Sequence, residues 1–489
     1  MTSSMPDQTP TPLQAANHAS NHAPVRNSVG SDDTSVPGSL RDYTKAHPPI
    51  EHWVSDVRYL TPAALTRLDE QVVQDLGVWT NCQTPSMLMF SDYAGLALRD
   101  NPKRAQLIVS RLLGKHIPVS PAIVSQAGHT LGKRILRNLT FSGDELENPV
   151  VVGYCETATA LGHLVAESLN APYIHTTRRP HPLLPVAYRF DEPHSHAVAH
   201  LIQPTVKFTF DAYDTVVLVD DELTTGTTVL NTIAELHEVR PRRLYVVATL
   251  FDARTRDMQV AFDNRMLAMG VNIIVAAAFT GTVTMPSNIL EKVPGFLNEL
   301  PSGAGVPDAA PGAVRVYEDA WMPGVPSTAR HGVLQTTTRA MRTAGKYAAE
   351  QIVSELAGGT TSDVLVVGTE ELMFAPLAVA EALEGLLPDG VVVFQTTTRS
   401  PVHPSNTLGY AIRRSLSFAA PDDPTRLSRI HNLLDPAWDT PGWEQVRYTD
   451  VVVVVDTSVD AAEPLIQTLA PFADLIHVLL LPATESVPL

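Results

Sequence analysis

The run Val216 to Thr228, VVLVDDELTTGTT, limits what this chain can fold into more than any other stretch. Val216 to Val219 have the length and apolar character of a buried parallel strand. The strand ends in two adjacent carboxylates, Asp220 and Asp221. After a short acidic-apolar step comes a small-residue loop, Thr224-Thr225-Gly226-Thr227-Thr228. A helix-period pattern follows, with Val229, Leu230, Ile233, Ala234 and Leu236 on one side. Strand, loop and helix together present hydroxyls and free backbone N–H groups at a helix start, where the dipole favours a phosphate. Ionised aspartates only accept hydrogen bonds and sugar hydroxyls donate them, so the paired carboxylates suit a diol. Phosphate and diol pockets side by side describe a ribose phosphate. The competing reading is an ordinary strand–loop–helix turn with a Thr-rich cap. The loop holds one glycine, which argues against a G-x-G-x-x-G dinucleotide fingerprint.

The rest of the chain narrows the class. Its 489 residues imply two or three domains, and 44% hydrophobic content is ample for sizeable cores. A net charge of −17 disfavours a nucleic-acid partner, so an anionic substrate must meet a local positive site. Two cysteines, Cys82 and Cys155, exclude a disulfide framework and a Cys-rich zinc site. No apolar stretch approaches a membrane span, and the N-terminus lacks a signal-peptide core. The expectation is a soluble cytoplasmic protein with no membrane partner. A homodimer is left open, since the sequence does not set the assembly.

Residues 1–50 are rich in Ser, Thr, Pro, Asn and His and read as a disordered tail. Residues 51–298 read as a first folded domain. From about Thr61 to Leu139 its pattern is mostly helical, with breaks at Pro85, Pro102 and Pro118. Strands and helices then alternate, with strands at Val150–Gly153, Tyr173–His175, Val216–Val219, Leu244–Leu250 and Val271–Ala278. That alternation predicts an α/β fold with a mainly parallel sheet. Residues 299–326, loaded with Pro, Gly and Ala, read as a connector. A second α/β pattern fills 327–489, with strands expected at Val364–Val367, Val391–Gln395, Val451–Asp456 and Ile476–Leu481.

VVLVDDELTTGTT resembles the phosphoribosyl pyrophosphate (PRPP) motif of type I phosphoribosyltransferases. The resemblance implies that Asp220 and Asp221 hold the ribose hydroxyls and that Thr224, Thr225, Gly226, Thr227 and Thr228 wrap the terminal phosphate. A second strand-loop-helix, VVVGYCETATALG from Val150, places Glu156, Thr157, Ala158 and Thr159 where that family cradles pyrophosphate. Glu156 departs from the family's commoner Arg or Gly. It is therefore either a magnesium or base contact, or a helix N-cap partner, since Mg²⁺ takes one or two carboxylates plus substrate phosphates. Asp220 and Asp221 are the expected Mg²⁺ contacts, direct or through water. Cys155 reads as a packed residue, because this chemistry needs no thiol. Arg178 and Arg179, with His194, Ser195 and His196, fall where the family's flexible lid lies. The arginines suit pyrophosphate, and the His-Ser-His run suits the acceptor or the leaving group. His-x-His-x3-His also admits a metal site, and a solvated loop is the plain alternative.

GYCETATALGH, EPHSHAVAH, VDDELTTGTT and Thr398-Arg399-Ser400-Pro401 together resemble a narrower group. These are the phosphoribosyltransferase-like proteins of bacterial tellurite-resistance and stress gene clusters, which carry a C-terminal TRSP domain. The resemblance implies an enzyme acting on PRPP or a related ribose phosphate, making a nucleoside-like metabolite from an acceptor it does not specify. In the second domain Glu370 and Glu371 follow one expected strand, and Thr398, Arg399 and Ser400 follow the next. Both sit where open α/β sheets bind ligands, against the alternative of loop capping and surface charge. Two rivals remain. One is a ribose-phosphate sensor without turnover; the other is an enzyme running in reverse on a nucleotide-like substrate.

Overall fold

The computed structural model describes residues 76–83, 93–99, 105–190, 199–407, 410–433 and 447–482. The expected tail over 1–50, together with His194, Ser195 and His196, lies outside them. The first sheet is built on strands β4 (Pro149–Gly153), β5 (Tyr173–His175), β8 (Thr215–Leu223), β9 (Leu244–Asp252) and β10 (Ile273–Thr284). They run parallel in the order β10-β9-β8-β4-β5, and β1 (Trp79–Gln83) adds antiparallel to β10 at the edge. Alternate residues of each strand serve opposite faces. Val151, Val217, Val219 and Val246 pack with helices α1 (Pro121–Ser142) and α2 (Thr159–Leu169). Val150, Val152, Val216, Leu218 and Val247 pack with α3 (Thr227–Val239) and α4 (Arg256–Met269). Burial on both faces explains why these strands read as continuous apolar runs.

The second sheet has the order β11-β17-β16-β12-β13 and is wholly parallel. Its strands are β11 (Ala313–Tyr317), β12 (Asp363–Gly368), β13 (Val391–Thr396), β16 (Tyr448–Val455) and β17 (Ala473–Leu480). The stretch expected as a connector thus contributes an edge strand, β11. Helix α8 (Val459–Leu469) and the hairpin β14–β15 (Ser415–Ala420, Asp423–His431) cover one face. Helices α6 (Gln335–Ile352) and α7 (Phe374–Leu386) cover the other, and their apolar residues join the α1–α2 side of the first sheet in a single core. His163 of α2 stacks on Phe374 of α7 at 3.6 Å. Arg342 of α6 lies over the same ring at 4.8 Å and grips Glu167 of α2 through two hydrogen bonds of 3.0 and 2.7 Å.

The described residues between 76 and 120 correct the sequence reading. Where helix was expected they hold β1 and a buried hairpin, β2 (Ala94–Leu98) and β3 (Gln106–Ser110), before α1 begins. In the short run Gln106-Leu-Ile-Val-Ser110 the three apolar residues are all buried, and periodicity cannot separate a buried strand from a buried helix over that length. Tyr93, stacked on Phe279 at 3.7 Å, anchors this hairpin to the first sheet.

Candidate active site

Strand β8 runs past Val219 through Asp220, Asp221 and Glu222 to Leu223, so the carboxylates lie on the strand itself, half-buried at its carboxyl end. The Asp221 N–H donates to Asp220 Oδ1 at 3.0 Å. Gly226 then turns the chain into α3 with φ +76°. A side chain there would be strained, and its Cβ would lie 2.5 Å from the Phe262 ring. Phe262 is covered by the Arg254 guanidinium at 4.5 Å, and Arg254 is clamped by Asp252 at 2.9 and 2.7 Å. The loop is therefore propped from below while Thr225 stays exposed above. The Thr225 hydroxyl donates to the Thr227 hydroxyl at 3.0 Å.

Strand β4 lies next to β8, and the Tyr154 N–H donates to the Val219 carbonyl at 3.0 Å. The loop that follows carries a cis Cys155–Glu156 peptide. Helix α2 starts at Thr159, with Ala158 as an N-cap that makes no side-chain hydrogen bond. Glu156 does not cap this helix with its carboxylate. Its carboxylate accepts from the Thr398 hydroxyl at 3.3 Å and the Arg399 N–H at 3.2 Å, and pairs with Arg399 Nε at 3.0 Å. Cys155 is buried, and burial pushes its thiol far up, out of the range of a nucleophile. Thr157 accepts from Lys115.

The chain after β5 meets the second sheet. Thr177 Oγ1 and the Arg178 N–H donate to Glu371 at 2.7 and 2.8 Å. Arg178 Nη2 lies 3.0 Å from His200 Nε2, and its Nη1 lies 4.0 Å from Glu156. Arg179 pairs with Asp456 at 3.3 Å and Asp422 at 3.5 Å. Glu370 accepts from Arg399 at 2.7 Å and from Arg426 at 2.6 Å. Arg330 pairs with Glu371 at 3.2 Å and Asp456 at 3.7 Å. Burial alone would push Glu371 up, but the charges of Arg330 and Arg179 and the Arg178 N–H hold its carboxyl well below the usual range. Asp456 is held down in the same way by Arg179 and Arg330. Burial keeps His175 neutral, with its pKa lowered to about 4.

Glu156, Arg178 and Arg179 of the first sheet thus join Glu370, Glu371, Thr398 and Arg399 of the second in one network. Ser400 borders it, its N–H donating to Thr398 Oγ1 at 3.1 Å. The sequence reading treated these as two separate sites. The structure places the carboxyl ends of β4 and β5 against those of β12, β13 and β16, the ends at which open α/β sheets bind ligands. Asp220, Asp221 and Thr224 to Thr228 lie one strand over from Glu156. Arg330, Asp422 and Arg426 belong to the network and carried no motif in the sequence; only the contacts between the two sheets reveal them.

This architecture is that of a type I phosphoribosyltransferase-like domain followed by a second parallel-sheet domain. Residues 93–282 match the family described as phosphoribosyl transferase, and residues 327–469 match the TRSP domain that stands C-terminal to it. The chain thus carries a phosphoribosyl transferase family domain followed by a TRSP domain. No curated protein matches the sequence. Solved structures that overlay in part include adenine phosphoribosyl transferase from Trypanosoma brucei in complex with AMP, pyrophosphate and ribose-5-phosphate. It is 15% identical, over 38% of this chain and 77% of that one, with a TM-score of 0.27. Orotate phosphoribosyltransferase from Aeropyrum pernix is 21% identical, over 39% and 85%, with a TM-score of 0.21. The family match carries the assignment; the overlays add nothing to it. Among the described residues no helix is long and apolar enough to cross a membrane.

Proposed function

We propose that the chain transfers a phosphoribosyl group from PRPP to a small-molecule acceptor, with Mg²⁺ accompanying the donor. One observation supports this above the rest. Two half-buried carboxylates end β8, a threonine loop turned at Gly226 opens α3, and the β4 loop stands beside them. In this reading Asp220 and Asp221 accept from the ribose hydroxyls, and Thr224 to Thr228 hold the terminal phosphate. The β4 loop, Glu156 to Thr159, faces the pyrophosphate. As pyrophosphate leaves, positive charge develops on the anomeric carbon and the acceptor's nucleophile attacks it. Arg178 and Arg179, released from their carboxylate partners, stabilise the negative charge of the leaving group. Among the described residues no group of three or more His, Cys, Asp or Glu forms a metal cage. The donor set at Asp220 and Asp221 instead suits a magnesium that arrives with its phosphates, and that ion would neutralise pyrophosphate charge. The product fits a nucleoside-like metabolite, in keeping with the tellurite and stress setting that the resemblance implies.

A second reading is a ribose-phosphate sensor. It is favoured by the way Glu156, in the loop that would cradle pyrophosphate, is held by Arg399 of the other domain. Calorimetric titration of PRPP, with and without Mg²⁺, tests the shared premise. Binding that needs Mg²⁺ and disappears in Asp220→Asn/Asp221→Asn is the expected result. A folded wild type that binds no PRPP would overturn both readings. Release of pyrophosphate with candidate acceptors then separates enzyme from sensor.

A further inference from the structure

Lys115 and His116 sit in the segment between β3 and α1, which is threaded along the open edge of the second sheet. The Gly114 carbonyl accepts from the Thr396 N–H at 2.7 Å, and Val119 exchanges hydrogen bonds of 3.1 and 2.8 Å with Phe394. Gly114 has φ +65°, and a Cβ there would lie 2.5 Å from the Phe394 ring. Backbone contacts also place two imidazoles. Asn432 Nδ2 donates to the His116 carbonyl at 3.1 Å, and Gln395 Nε2 donates to the His431 carbonyl at 2.5 Å. The rings lie 5.4 Å apart, centroid to centroid.

Several polar atoms here lack partners. Lys115, His116 and His431 are 7%, 5% and 0% exposed. His116 Nε2 and Thr396 Oγ1 have no hydrogen-bond partner. The backbone of Ser400 reaches toward His431, yet neither ring nitrogen makes a hydrogen bond of good geometry. Lys115 reaches Thr157 of the β4 loop. Among the described residues it has no carboxylate at ion-pair distance. The other charges crowding the rings are cationic as well: Arg99 beside His116, and Arg429 beside His431. Burial first, and these cations second, keep both rings neutral, with His431 lowered to about 3. Buried donors left without acceptors, with the Lys115 charge acting on both rings, are costly unless an acceptor of opposite charge completes them.

We infer that Lys115, His116 and His431, with the Thr396 hydroxyl, form a binding site for an oxyanion group, a carboxylate or phosphate of a ligand, at the seam between the two sheets. The ammonium supplies charge, each neutral imidazole one N–H, and the hydroxyl one donor. Through Thr157 the site adjoins the β4 loop, so the anion is an acid group of the acceptor or the pyrophosphate end of the donor. This choice of anion rests on the proposed function; the site itself does not.

The experiment is calorimetric titration of inorganic orthophosphate, and separately of succinate, into the full-length chain. It is repeated on Lys115→Met, on His431→Gln and on Thr228→Val, which alters the first turn of α3 instead. The expected result is saturable binding in the wild type and in Thr228→Val, weakened about tenfold or more in the other two variants. Absence of saturable heat with either probe, or equal affinity in Lys115→Met and His431→Gln, would overturn the site. Should one variant fail to fold, the other and the wild type still decide. Titration after saturation with PRPP identifies the source: persisting binding assigns the site to the acceptor, and competition assigns it to the donor. A Thr228→Val protein that keeps this phosphate site but loses PRPP would separate the two readings.

Discussion

The pairing of Glu156 with Arg399 yields the sharpest quantitative test, because it ties the β4 loop to the second domain. Their side chains are 4% and 18% exposed, with Nε and Oε1 3.0 Å apart. At an effective dielectric of about 20, unit charges at that separation attract by roughly 5–6 kcal/mol. Desolvation of both groups offsets most of this. Each partner also keeps other contacts: Glu156 retains the Thr398 hydroxyl and the Arg399 N–H, and Arg399 retains Glu370 and Asp422. Arg399→Met should therefore cost about 2–4 kcal/mol and Glu156→Gln about 1–3 kcal/mol. The double variant should fall short of their sum by a coupling of about 1–3 kcal/mol. Urea unfolding of the wild type, both single variants and the double variant measures it, provided that two probes give coincident transitions. Arg243 and Glu147, 46% and 56% exposed at 3.4 Å, serve as the control pair, with a coupling of about 0–1 kcal/mol. A coupling for Glu156 and Arg399 below about 0.5 kcal/mol would refute the account of the seam as an electrostatic joint.

Three further expectations follow from the geometry. Gly226→Ala places a Cβ against Phe262 at φ +76°, and should cost about 2–4 kcal/mol in urea unfolding while weakening PRPP binding. Burial pushes the Glu167 carboxyl up, but hydrogen bonds from Arg342 and His129 override it and lower its pKa from 4.5 to about 2. Since the folded value is the lower one, this stabilisation is complete above about pH 4.5 and lost as pH falls through about 2. Arg342→Met should flatten the acid dependence of the unfolding midpoint in that window. Cys155, buried with its thiol pushed up, should resist alkylation until the protein unfolds; peptide mapping after brief iodoacetamide treatment checks this, and rapid native labelling would contradict it.

Much of the fold was legible because its strands are buried on both faces. Runs such as Val216–Val219 and Val451–Val455 admit few other states, and their alternation with helices pointed to parallel sheets. The β2–β3 hairpin was not legible, since a five-residue apolar run has no period to measure. The loop beginning at Gly226 stood out because its residue types are unusual together. The joining of Glu371 to the chain after β5 did not, since Thr177, Arg330 and Glu371 are far apart in sequence and Thr177 and Arg330 carried no motif. Only the meeting of two strand ends gives them a common environment, and no local pattern records which loop will face which.

The core that runs from the α1–α2 surface into α6 and α7 has a consequence for how such a gene can change. Recombination through 299–326 would leave both reading frames intact yet part surfaces that fit only each other, His163 from Phe374 and Gly114 from Phe394. The two halves are therefore expected to travel together through descent, and a substitution on one side of the seam invites its compensation on the other.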